Sequence, residues 1–140
     1  MRFLLAVDGS DNCHRAVDYL IAQRHRYRAA IELYLVNAQP ALRGDVTMFI
    51  GHEQIQRFHE EEGLKRLATA RAKLDAAGVP YTFHIGVGDP AHVIVDYARE
   101  KGCEQIVIGT RGMGSITGML LGSVATKVVH LSEVPVLLIK

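Results

Sequence analysis

Apolar and polar positions fall into alternating blocks along the chain. Arg2–Val7 (RFLLAV) is a short continuous apolar run that stops at Asp8-Gly9-Ser10, a turn signal. Such a run predicts a strand covered on both faces. Ala16, Val17, Leu20 and Ile21 then recur at helical spacing, and Ser10 or Asp11 is placed to cap a helix over about 11–28. Ile31–Val36 reads as a second strand. The segment Gln39–Gly51, with Pro40 and Gly44, is polar and irregular, and it is long for a connection inside a compact domain, so it reads as a mobile or functional loop. Ile55, Phe58, Leu64, Leu67 and Leu74 predict the buried stripe of a long helix over roughly 52–77, with Gly78 as its stop. Pro80 opens a third strand, Tyr81–Ile85. Asp89-Pro90 starts a helix carrying Val93, Ile94, Tyr97 and Ala98 that stops at Gly102. Gln105–Ile108 is a fourth strand, a helix is expected from about 123 to 131, and Pro135–Ile139 is a fifth strand.

This order of alternating units predicts one α/β domain over residues 1–140, a doubly wound, mainly parallel sheet with helices on both faces. Ligands of such sheets bind at the carboxyl ends of the strands, near the switch in strand order. Asp8, Val36 and Gly109 lie at those ends.

Between the fourth strand and the last helix stands GTRGMGSITGMLLGSVAT (109–126), with five glycines in its first fourteen residues. Glycine costs conformational entropy on folding, so the cluster implies a close approach to backbone. The loop is not a Walker A motif: Gly109 and Gly114 have the spacing, but Ser115 and Ile116 follow where Lys and Ser or Thr are needed. It is not a dinucleotide fingerprint, since Gly112-Met-Gly114 is followed by Gly118 one residue late and after the wrong strand. Neither Ser115 nor Ser123 has the flanking glycines of a nucleophile elbow. What remains is Gly109-x2-Gly112-x9-Gly122-Ser123. In that pattern Gly109 would let a sugar or base lie on the backbone, and Gly112 would support a tight turn. Gly122-Ser123 would open a helix whose free N–H groups and dipole attract anions, with the Ser123 hydroxyl as a further donor. The residues between would wrap a polyphosphate. Blander roles stand beside these: Asp8 as an Asx turn, Ser123 as a plain N-cap, Arg111 as a solvated side chain.

Charge adds exclusions. The chain has 140 residues and a net charge of +1, from 16 basic and 15 acidic residues. No basic tract is singled out, which argues against a nucleic-acid or anionic-membrane partner. The apolar N-terminus ends at Asp8 with no cleavage signal, and no apolar run approaches membrane-spanning length. Cys13 and Cys103 form no CxxC and read as small packed side chains. The seven histidines are scattered, His52-Glu53 does not continue to a zinc motif, and they read as surface or partly buried groups. A cytoplasmic protein is expected.

The glycine pattern, with LLAVDGSDNCHRAVDYL at the start, GDPAHVIVDYARE in the middle and VPVLLI at the end, resembles the nucleotide-binding branch of the universal stress protein family. The resemblance covers essentially the whole chain. It implies a five-strand sheet of order 3-2-1-4-5 and ATP binding, with Mg or Mn held mainly by the phosphates. Ala6, Val7 and Asp8 would lie near adenine and ribose, and Val36 on the adenine. Ile108, Gly109, Arg111 and Gly112 would line the ribose and first phosphate, and Gly122, Ser123 and Val124 would hold the phosphates. Ala125 departs from relatives that are polar there, and Gly114 and Gly118 are additional to the motif. The last strand, Val134 to Ile139, would pair across a two-fold axis in a homodimer. A regulatory module with slow or no ATP hydrolysis is expected, because neither an activated nucleophile nor a general base accompanies the phosphate loop. The alternatives are a nucleotide-using enzyme and a dimeric scaffold with a vestigial site.

Overall fold

The computed structural model describes residues 1–112, 118 and 120–140. Its elements run β1 (Arg2–Ala6), α1 (Asp11–Gln23), β2 (Glu32–Gln39), α2 (Gly44–Thr47), α3 (His52–Ala76), β3 (Tyr81–Val87), α4 (Pro90–Glu100), β4 (Gln105–Gly109), α5 (Ser123–Leu131) and β5 (Val136–Ile139). The five strands form one sheet in the order β3-β2-β1-β4-β5, as expected. All four pairings are parallel.

The alternation along β1 divides the core. Phe3, Leu5 and Val7 point to the layer of α1 and α3, where Val17, Leu67 and Leu74 are fully buried. Leu4 and Ala6 point to the layer of α4 and α5, with Ile94, Ala98 and Val128. The chain winds one way from β1 through β2 to β3 and the other way through β4 to β5. The switch therefore lies between β1 and β4, and their carboxyl ends define a crevice.

The structure differs from the expectations, or adds to them, at several points. First, α1 ends at Gln23 and passes into a 3-10 turn over Arg24–Arg26. Second, β2 continues past Val36 to Gln39, pairing Asn37, Ala38 and Gln39 with Ile85, Gly86 and Val87. The polar Asn37 and Gln39 are buried and belong to a polar network within the strand. Third, the segment after Gln39 contains the single turn α2. Fourth, Phe58 and Leu64 are not core: they are 47% and 36% exposed. The face of α3 that meets the sheet runs His59, Gly63, Leu67, Ala70, Leu74, a spacing of three or four throughout. Gly63 allows that contact, since a Cβ there would sit 2.6 Å from Ile85 Cδ1. His59 is buried, against the reading of the histidines as surface or partly buried groups. Gly78 ends the α3 region with φ +63, the left-handed conformation that glycine adopts without strain.

Candidate functional site

A cavity of about 440 Å³ opens over the carboxyl ends of β1, β2 and β4. This volume lies within the range of small-molecule sites, roughly 300–1,000 Å³. β1 and the turn after it supply Ala6, Val7 and Asp8, β2 supplies Val36, and β4 and its turn supply Ile108, Gly109, Arg111 and Gly112. The first turn of α5 supplies Gly122, Ser123 and Val124. Every residue singled out in the sequence thus lines one cavity. Six others line it too: Ser10, Cys13, Ala38, Pro90, Ile94 and Ala125. Ala38 was within reach of the sequence, because it lies two residues beyond Val36 on the same face of β2. Pro90 and Ile94 were not, since only the packing of α4 beside α5 brings them there. Gly114 and Ser115 lie outside the described residues, as does most of the stretch expected to wrap a polyphosphate.

The apolar wall comes from the α4–α5 layer: Ala6, Val36, Ala38, Ile94 and Ile108 belong to one packed cluster. Such a wall accepts a flat apolar ring. The polar side is built from backbone and short side chains. The Asp8 carboxylate accepts from the Ser10 N–H at 2.9 Å, so the Asx turn forms. The Asp8 carbonyl accepts from Arg66 Nη1 at 3.4 Å. Ser10 Oγ accepts from the Cys13 N–H at 3.3 Å and caps α1. Asn12 Nδ2 donates to Thr110 Oγ1 at 3.0 Å and ties α1 to the turn after β4. Burial pushes the Cys13 thiol up to about 11, so the sulfur in the cavity wall stays protonated and is a poor nucleophile.

The glycines divide their work in a way the spacing did not show. A Cβ on Gly109 would sit 2.8 Å from Asn12 Cβ and 3.2 Å from the Cys13 nitrogen. Gly109 is therefore demanded by the approach of α1, while its backbone also lines the cavity. A Cβ on Gly112 would lie 2.6 Å from Asp8 Oδ2, so this glycine lets the loop backbone reach the carboxylate. Gly122, not Ser123, is the N-cap of α5, and among the described residues no side chain caps that end. The Gly122 N–H donates to the Thr110 carbonyl at 2.6 Å. The next N–H groups, on Ser123, Val124 and Ala125, have no carbonyl one turn back within the helix. These residues line the cavity at the positive end of the helix dipole, an arrangement suited to an anion.

A buried polar chain supports the floor. Asn37 Nδ2 donates to the Val7 carbonyl at 2.8 Å, and Gln39 Nε2 donates to Asn37 Oδ1 and to the His59 carbonyl, both at 2.9 Å. His59 Nδ1 meets Gln39 Oε1 at 2.7 Å. Among the described residues no group of three His, Cys, Asp or Glu could hold a metal ion. Among the described residues no helix is long and apolar enough to cross a membrane.

A model of the Universal stress protein family matches residues 1–140. The chain belongs to that family. Universal stress protein YxiE of Bacillus subtilis is 35% identical to it, over 99% of this chain and 98% of its own length. The solved structure of hypothetical protein MJ0577 superposes with a TM-score of 0.83 at 26% identity, covering 99% of this chain and 94% of that one. The universal stress protein from Archaeoglobus fulgidus, solved in complex with dAMP, gives a TM-score of 0.71 at 26% identity, covering 100% of this chain and 98% of that one.

Proposed function

We propose that this universal stress protein binds ATP in the cavity above β1, β2 and β4 and acts as a nucleotide-dependent regulatory module. The observation that carries the reading is the uncapped N-terminus of α5, which opens into a cavity whose other wall is apolar. The dAMP complex of the Archaeoglobus fulgidus relative supports an adenine nucleotide as the ligand class. Adenine lies against Val36, Ala6 and Ala38. The ribose lies by Val7, Asp8, Ile108 and Gly109, and the first phosphate by Arg111 and Gly112. The remaining phosphates meet the N–H groups of Ser123 and Val124 beside Gly122 and the Ser123 hydroxyl. Magnesium or manganese is carried mainly by the phosphates themselves.

No group in the cavity wall offers an activated nucleophile, so hydrolysis is slow and the bound nucleotide acts as a signal. The module works in the cytoplasm as a homodimer joined through Val134 to Ile139. The edge position of β5 and the 36% exposure of Leu138 support that pairing. Calorimetric titration of nucleotide-stripped protein with ATP and magnesium tests the site, followed by AMP and GTP. Micromolar binding of ATP, weaker for AMP and GTP, is the expected result. The absence of binding by any of the three overturns the reading. Light scattering that returns a monomer overturns the dimer.

A further inference from the structure

A second cavity, of about 460 Å³, lies at the opposite rim of the sheet, between the α1–β2 connection and the turn Gly78–Pro80. Its inner wall is core: Leu20, Leu33 and Leu74 are buried, and Val79 packs against them. Tyr27 forms one side and is held edge-on against Phe3, with ring centroids 5.1 Å apart. Arg24, His25 and Arg28 also line it, and no Asp or Glu does. These cations belong to the run Arg24–Arg28 (RHRYR), which the near-neutral net charge conceals. Among the described residues no carboxylate pairs with them. Glu32, the nearest acid in sequence, is engaged by Arg2 Nε at 3.1 Å. Arg24 Nη1 donates to the Ile21 carbonyl at 3.0 Å, which covers one exposed carbonyl at the end of α1 and fixes the guanidinium at the rim.

We infer that this cavity binds an amphipathic carboxylate, an alkyl chain with one anionic head. An apolar cleft takes the chain, and two arginines without acidic partners take the head, since guanidinium pairs carboxylate through parallel N–H bonds. An uncharged chain of the same length gains the wall but not the arginines. A cationic chain is repelled.

The test uses sodium decanoate as probe and decanol as its uncharged counterpart, read by amide chemical shifts of Leu33 and Val79. Decanoate is expected to shift both saturably and to bind at least about tenfold tighter than decanol. Two substitutions at exposed lining positions complete it. Arg28→Glu is expected to weaken decanoate by about tenfold or more. Ala29→Trp is expected to fill the mouth and abolish the shifts. Both should leave ATP titration as in the parent chain, which keeps this result separate from the nucleotide site. Equal affinity for decanoate and decanol, or unchanged affinity in Arg28→Glu, would overturn the assignment. Phosphatidylglycerol vesicles form the last arm: pelleting that Ala29→Trp does not alter would transfer the cations to a membrane surface and remove the cavity from the account.

Discussion

α4 and α5 pack in the same layer and present their N-termini to the same rim, with Pro90 and Ser123 lining one cavity. Their ends are finished differently. At α4 the Asp89 carboxylate accepts the His92 N–H at 3.1 Å, meets the His92 ring at 2.7 Å and pairs with Lys127 at 3.0 Å. That end satisfies itself with its own side chains. At α5 the N-cap is Gly122, which has no side chain to give. The two ends share geometry and dipole, so the cap residue decides what each can do. A capped terminus is closed to ligands, and an uncapped one beside a cavity keeps its donors for an anion.

The comparison can be broken outright by moving the cap. Gly122 has φ −68, which any residue adopts, though a Cβ there would stand 3.3 Å from the Thr110 carbonyl, so the turn must give by a few tenths of an ångström. Gly122→Asp should therefore fold, cap α5 with its own carboxylate and repel phosphate. ATP affinity should fall about a hundredfold, while the chain still folds with a somewhat lower melting temperature. Calorimetry with a thermal melt reads both.

Gly109→Val sharpens the difference between glycines. The new side chain would press on Asn12 and the Cys13 nitrogen, so stability should fall by about 1–3 kcal/mol in urea unfolding. A variant as stable as the parent would mean that the approach of α1 does not require the glycine.

Ser10→Ala removes the cap of α1, the third helix end at this rim, and should cost about 1 kcal/mol by the same measurement.

The smallest effect is at α4 itself. The His92 hydrogen bond, then Lys127, hold the Asp89 carboxyl well below the usual carboxylate range. A lowered folded-state value means that the contribution is complete above the ordinary carboxylate pKa, about 4, and is lost as pH falls toward the lowered one. Asp89→Asn should be less stable than the parent at pH 7, with the gap narrowing at pH 3 and ATP affinity unchanged. A gap that is constant with pH would mean that the carboxylate charge contributes nothing.

Much of this was legible along the chain. The apolar runs and helical stripes placed every strand and long helix to within a few residues. The turn Asp8-Gly9-Ser10 and the Gly122-Ser123 helix start were readable because caps and turns are local chemistry. Two of the differences share a cause. Polar Asn37 and Gln39 follow the apolar run of β2, yet they are part of the strand and buried, bonded to Val7 and His59. The stripe of α3 was drawn through Phe58 and Leu64 because they are apolar, yet the helix meets the sheet through His59 and Gly63. Polarity along a chain reports burial only where no partner from elsewhere compensates it.

The sequence by itself determined the elements, their alternation, the parallel α/β architecture and the region of the site, because these follow from periodicity and turn chemistry over a few residues. The tertiary structure alone decided which glycine serves packing and which leaves a helix end open. It also decided which walls close the cavity and where arginines meet an apolar cleft. Those outcomes depend on contacts between residues far apart in the chain, such as Gly112 with Asp8 and Gly109 with Asn12. No local pattern encodes such a distance; it exists only once the sheet has brought the strand ends together.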